Sequence, residues 1–226
     1  LNKEIRMIEP SLKILVFGAG AVGTYIGGSL AYTGHHVVFL EQPEVAALLR
    51  KNGIKIENPA SGTVPATITL PASACEYAGS LSEALSLGSF DVALYALKSF
   101  DTPSVITSLS SAIASFSAAT LPPILCLSNG VDNEPALVKV IGVDKVIAGT
   151  VTTAVGRRAA GDVIVERSRG MGIAKGNPLA PRLIAAMNAA GLNAHLYPNA
   201  AGMKWSKLLT NMLANATSAF LNLPPA

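Results

Sequence analysis

The run Lys13-Ile14-Leu15-Val16-Phe17-Gly18-Ala19-Gly20-Ala21-Val22-Gly23-Thr24-Tyr25-Ile26-Gly27 constrains the fold of this chain more than any other stretch. One leading charge is followed by an unbroken apolar run, the pattern of a strand buried on both faces of a parallel sheet. A helix-like segment follows at once, and the junction between the two reads Gly-x-Gly-x-x-Gly. In that geometry Gly18 permits the tight turn, Gly20 lets a pyrophosphate approach the backbone, and Gly23 lets the helix pack on the strand. Ala19, Ala21 and Val22 complete the turn. The helix N-terminus then points free N–H groups and the positive end of its dipole at the phosphates. A plain glycine-rich turn has the same spacing. What favours a dinucleotide site is the strand before it, the helix after it, and an acidic residue, Glu41, ending the next strand.

Half of the 226 residues are apolar and 14% are charged, which excludes a disordered chain and allows one large or two smaller cores. The net charge is +3 and the basic residues are scattered, which favours small anions as ligands and gives no case for nucleic acid. Cys75 and Cys126 read as reduced thiols of a cytoplasmic protein, and His35, His36 and His195 form no ligand spacing, so no metal is expected. The uncharged span 14–34 is long enough for a membrane helix, but its glycines, Thr24, Ser29 and Thr33 argue against one. Residues 1–11 read as a loose leader.

Along the chain, residues 21–33 form the crossover helix and 36–40 the second strand, and Pro43 opens a helix running to Lys51. Alternation over 53–57 and 63–70 suggests a hairpin at the sheet's edge. A short helix over 80–86 precedes a buried strand at 90–97, which delivers Lys98 to the edge where open parallel sheets hold ligands. Residues 102–116 place Ile106, Leu109, Ile113 and Phe116 on one helical stripe. A strand over 123–127 delivers Ser128-Asn129-Gly130 to the same edge, followed by a helix through Val140 and a strand over 146–153. Strands at 161–165 and 171–175, joined by an Arg169-Gly170 turn, precede a helix over 179–190 and a strand over 193–197.

The last predicted helix, 202–222, is apolar along Trp205, Leu208, Leu209, Met212, Leu213, Ala216, Ala219 and Phe220. Its other side carries Lys207, Asn211, Asn215, Ser218 and Asn222. One cation with a row of neutral amides suits a helix lining a polar pocket, and equally an ordinary solvated face. Lys204, one turn before Lys207, reads as a surface residue.

These residues together resemble the ketopantoate reductase (2-dehydropantoate 2-reductase) family. The likeness runs through GAGAVG, Ala96-Leu97-Lys98-Ser99, Ser128-Asn129-Gly130, Gly149-Thr150-Val151-Thr152-Thr153-Ala154 and Arg157-Arg158, and ends on Trp205-Ser206-Lys207-Leu208 with Asn211 and Asn215. The resemblance implies that Lys207 is the catalytic acid and that Asn211 and Asn215 hold substrate. It implies that Lys98 and Asn129 contact the cofactor and the reacting end of the substrate, and that the turn at Val155 passes near a nicotinamide. It also implies an α/β fold: a Rossmann-type doubly wound parallel sheet over 12–198, then the start of an all-α substrate domain over 199–226. The implied function is NAD(P)H-dependent reduction of 2-dehydropantoate to pantoate in pantothenate and coenzyme A biosynthesis. The rivals are reduction of another 2-oxo acid and a non-catalytic dinucleotide sensor.

Two features depart from the family. Its members use NADPH, with an arginine after the second strand. Here Glu41 stands at that strand's end and would bond a ribose 2′-hydroxyl and repel a phosphate, which leans toward NAD. Members also continue through a helical domain supplying a serine and a glutamate to the site, so the sequence is expected to be cut short within that domain. The apolar face left exposed would favour a homodimer.

Overall fold

The structure, a computed structural model, describes residues 10–59, 62, 64–117, 120–213 and 217–222. The first half contains β1 (Lys13–Phe17), α1 (Ala21–Tyr32), β2 (His36–Leu40), α2 (Pro43–Asn52), β3 (Ile54–Glu57), β4 (Thr67–Leu70), β5 (Glu76–Ala78), α3 (Leu81–Ser86), β6 (Val92–Tyr95) and α4 (Thr102–Phe116). The second contains β7 (Ile124–Cys126), α5 (Asn133–Ile141), β8 (Val146–Val151), β9 (Ala154–Ala159), β10 (Asp162–Arg167), β11 (Met171–Ala174), α6 (Ala180–Ala189), β12 (Ala194–Tyr197), α7 (Ala200–Asn211) and α8 (Thr217–Leu221).

An eight-stranded sheet runs β12-β11-β8-β7-β6-β1-β2-β5. From β5 to β8 every pairing is parallel, and β11 joins β8 antiparallel. The chain winds outward from β1 through β2 to β5, returns to β6 on the other side of β1, and winds outward again. This is a doubly wound α/β fold with its switch point between β1 and β6, where ligands bind beyond the carboxyl ends of the strands. Phe17 is level with both Leu40 and Tyr95, so three strands end together at that point.

Strand alternation builds the two cores. Ile14, Val16, Val37 and Phe39 point toward the layer of α1 and α6, and Leu15, Phe17, Val38 and Tyr95 toward α3, α4 and α5. The α1 layer has a second cover. The β3/β4 hairpin does not sit at the edge of the main sheet; it heads a separate four-stranded sheet, β4-β3-β10-β9, packed on the outer side of α1. A Cβ at Gly27 would lie 2.7 Å from Phe39 of the large sheet, and one at Gly28 would lie 2.8 Å from Ile56 of the small one. The helix is sandwiched, which is why it carries no charge despite being only 12 residues long. No helix among the described residues is long and apolar enough to cross a membrane.

Two further expectations change. β10 and β11 belong to different sheets, so Arg169-Gly170 is a crossing between sheets and not a hairpin turn. On α4 the buried residues are Thr102, Val105, Leu109 and Ala112, and Phe116 is exposed, because the helix docks through its smaller side chains. As expected, the apolar face of the last helix, with Trp205, Leu209, Met212 and Leu213, is exposed, while α7 packs on β8 and β11 through its other side.

Candidate functional site

The glycine turn links β1 to α1 in the form the motif demands. Gly18 has φ +90°, and a side chain there would strike Leu97 Cδ2 at 2.4 Å. A Cβ on Gly23 would come within 1.9 Å of Gly18 O, so helix and turn touch backbone to backbone. Gly20 meets nothing within 4 Å: the space above it is open. Gly20 is also the N-cap of α1 and offers no side chain to the first amides of the helix, leaving them for an anion. These features fit a pyrophosphate cradle.

Glu41 closes one side of the cradle. Its Oε2 accepts from Ala19 N at 2.7 Å and its Oε1 from Gln42 N at 3.0 Å, so the carboxylate faces the glycine turn. It borders a cleft of about 600 Å³ with Phe17, Gln42, Ser80, Leu97 and Ser104. No lysine or arginine among the described residues lines this cleft. Lys98, three residues beyond β6, is exposed and lies with its ammonium 5.7 Å from the centre of the Phe100 ring, outside that lining.

A second cleft, of about 500 Å³, opens beyond β7 and β8. Val22, Asn129, Lys207 and Asn211 all line it, together with Thr153 and Arg169. A residue of the glycine turn thus faces the same space as side chains far away in sequence. Asn211 Nδ2 donates to Asn129 Oδ1 at 3.2 Å, and Asn133 Nδ2 donates to Asn129 O at 2.7 Å, holding the loop to α5. Lys207 also borders an adjoining cleft of about 370 Å³ with Arg169, Tyr197 and Met203. Burial first, and the charge of Arg169 second, lower the pKa of Lys207 from the usual lysine value. Val155 lies in β9 and packs against the core, while its neighbours Thr153 and Ala154 reach the cleft. Asn215 lies outside the described residues. Cys75 and Cys126 are buried free thiols, each pushed by burial up to about 12.

Sequence reasoning missed two residues. Lys204 is not on the surface: it is 6% exposed, and its Nζ donates to Ser128 O at 2.7 Å and Gly149 O at 3.2 Å. Glu134 Oε1 lies 2.7 Å from the same ammonium, as an ion pair rather than at hydrogen-bond angles. This buried cation ties α7 to the ends of β7 and β8. The helical projection held the signal, since at about 100° per residue Lys204 points the same way as Lys207 and Asn211. Arg169 had no such signal, because it lies in an irregular crossing with no period.

The family model described as ketopantoate reductase PanE/ApbA matches residues 14–177. A curated relative, the 2-dehydropantoate 2-reductase of Pyrococcus horikoshii, is 26% identical over 219 residues, which span 94% of this chain and 65% of the relative. Among solved structures, a PanE/ApbA family ketopantoate reductase from Ralstonia eutropha superposes with a TM-score of 0.75 at 26% identity, covering 93% of this chain and 65% of that one. A 2-dehydropantoate 2-reductase from Methylococcus capsulatus gives 0.76 at 25% identity, covering 94% and 65%. The chain thus spans just under two thirds of the length of these relatives.

Proposed function

Since the chain belongs to the ketopantoate reductase PanE/ApbA family, we propose that it reduces 2-dehydropantoate to pantoate with a nicotinamide dinucleotide, in the cytoplasm, as a step of pantothenate formation. Residues 12–198 serve as the dinucleotide-binding part and 199–226 open the helical substrate domain. The observation that carries this reading is the convergence of Val22, Asn129, Lys207 and Asn211 on one cleft beyond the carboxyl ends of β7 and β8.

The turn from Gly18 to Gly23, with Ala19, Ala21 and Val22, would hold the pyrophosphate on the N-terminus of α1. When bound, a reduced nicotinamide supplies the hydride that adds to the ketone carbon. Lys207 faces the ketone oxygen, where its ammonium stabilises the growing negative charge and then gives up a proton. Its lowered pKa makes it a readier acid than a solvated lysine. Asn129 and Asn211, already bonded to each other, orient the substrate by donating from one amide and accepting at the other; Asn215 is assigned the same role from its place in the motif. Lys98 and Val155 are assigned as further cofactor contacts from their places in the family motifs alone, since neither lines the two clefts. Glu41, facing a cleft without a lining cation, favours a ribose 2′-hydroxyl over a 2′-phosphate and so NADH over NADPH. The exposed Trp205, Leu209, Met212 and Leu213 of the last helical segment support a homodimer.

Steady-state oxidation of NADH and NADPH with a panel of 2-oxo acids tests this reading. Lys207→Ala is expected to lower kcat by about a hundredfold or more with dinucleotide affinity retained. Near-normal turnover in that variant removes Lys207 from the mechanism, and a strong preference for NADPH removes the inference from Glu41.

A further inference from the structure

We propose that Arg169 is the carboxylate-binding and specificity-determining residue of the substrate cleft, its guanidinium pairing with the carboxylate of a 2-oxo acid whose keto oxygen lies at Lys207. The proposal rests on the reductase reading above and adds a residue that lies outside the motifs carrying the family resemblance.

Arg169 lines both clefts that Lys207 lines. Its backbone is fixed from every side. Arg169 N donates to Thr153 Oγ1 at 3.2 Å, and Arg169 O accepts from Asn193 Nδ2 at 2.6 Å. The next residue is held harder: Gly170 N donates to Thr153 Oγ1 at 2.9 Å, while Gly170 O accepts from Thr152 N, Thr153 N and Thr152 Oγ1. A Cβ at Gly170 would stand 2.4 Å from Asn193 O, so the crossing lies tight against the start of β12. A link between two sheets needs no such anchoring to be merely a link. The anchoring fixes the origin of one side chain, and that side chain is an exposed cation beside a cleft.

The charges around it explain what it would take. Glu166 and Arg167 of β10, Arg169 and Lys207 are the ionisable groups lining the 500 Å³ cleft. Among the described residues neither the Arg169 guanidinium nor the Lys207 ammonium has a hydrogen-bond or ion-pair partner, and their mutual repulsion helps to lower the Lys207 pKa. A single small ligand can engage both by presenting an anion to one and an accepting oxygen to the other. A 2-oxo acid does this: its carboxylate meets the planar guanidinium fork with two parallel hydrogen bonds, and its adjacent ketone oxygen is left for the ammonium.

Equilibrium binding of 2-dehydropantoate, of 3-methyl-2-oxobutanoate and of the primary amide of the latter is measured with the full chain and with Arg169→Gln and Arg169→Lys. Both variants keep every backbone anchor, so the fold is retained. Arg169→Gln is expected to weaken both acids by about tenfold to a hundredfold and to leave the amide unchanged. Arg169→Lys should recover only part of the loss, since an ammonium lacks the fork. An NMR titration of the Lys207 ammonium should show its midpoint rising in Arg169→Gln, with Glu166 and Arg167 untouched. Equal binding of the acids to wild type and Arg169→Gln overturns the proposal and leaves the reductase reading standing, as does an unmoved Lys207 titration. A wild-type chain that binds dinucleotide and neither acid overturns the reductase reading itself, and the proposal with it.

Discussion

Replacing Lys204 by methionine keeps most of the side chain's apolar stem and removes its ammonium. Two carbonyls accept from that ammonium, Ser128 O at 2.7 Å and Gly149 O at 3.2 Å, and Glu134 Oε1 pairs with its charge at 2.7 Å. The Glu134 side chain is only 12% exposed, so water cannot replace the lost partner in full. Breaking a buried pair by removing one member costs about 3–5 kcal/mol, because the remaining charge is left uncompensated. At about 2–4 °C per kcal/mol for a chain of this size, the expected fall in Tm is about 6–20 °C. Thermal unfolding followed by circular dichroism, with urea titration as a second probe, measures it. The decisive sample is Lys204→Met/Glu134→Gln. Glu134→Gln alone should cost about 2 kcal/mol by leaving the ammonium without its counter-charge, and the double variant should be no less stable than Lys204→Met alone, a coupling of about 2 kcal/mol. Losses that simply add, or a Lys204→Met protein within about 1 kcal/mol of wild type, would refute the assignment of Lys204 and Glu134 as a buried pair tying α7 to the sheet.

The other predictions concern separate parts of the molecule. Gly20→Ala meets open space at a backbone angle any residue adopts, so its Tm should hold while dinucleotide affinity falls at least about tenfold; Gly23→Ala, with its Cβ 1.9 Å from Gly18 O, should lose stability first. Ser80→Ala removes the oxygen that accepts from Glu83 N at 3.1 Å and should cost about 1 kcal/mol as a lost N-cap, read as a Tm lower by about 2–4 °C. The Arg158 guanidinium and then the Lys55 ammonium hold the Glu57 carboxyl down at about 2. Its folded pKa lies below its unfolded value of 4.5, so the stabilisation is present above that pH and is lost as pH falls toward about 2. Glu57→Gln should therefore flatten acid unfolding across that window, and an unchanged profile counts against the pairing. For Lys207 the sign is reversed, since the acid form carries the proton, and kcat should fall as pH rises through its lowered pKa.

The glycine turn was legible because its chemistry is local. Gly18 is required by its φ of +90°, Gly23 by the Gly18 carbonyl five residues earlier and Gly20 by the open space above it, and these local demands recur in any fold that carries the turn. The same holds for Pro43 at the start of α2 and for the buried runs of β1, β2 and β6. The β3/β4 hairpin was also recognisable as a hairpin, but alternation says only that one face is covered and not by what. Its partner turned out to be α1, whose second apolar side had to be hidden from water.

The sequence alone determined a glycine-rich strand-turn-helix, an acidic residue ending the next strand, and a late helix with Lys207 and Asn211 on one side, because the turn and the helix depend on residues close together in the chain and the acidic residue on one strand-helix-strand unit. Tertiary structure alone decided that Lys204 is buried against Glu134 and two carbonyls more than fifty residues away, and that Arg169 crosses between sheets to stand beside Lys207. A charged residue's environment is set by whatever packs on it. That neighbour is chosen by how the layers stack, which no local period encodes.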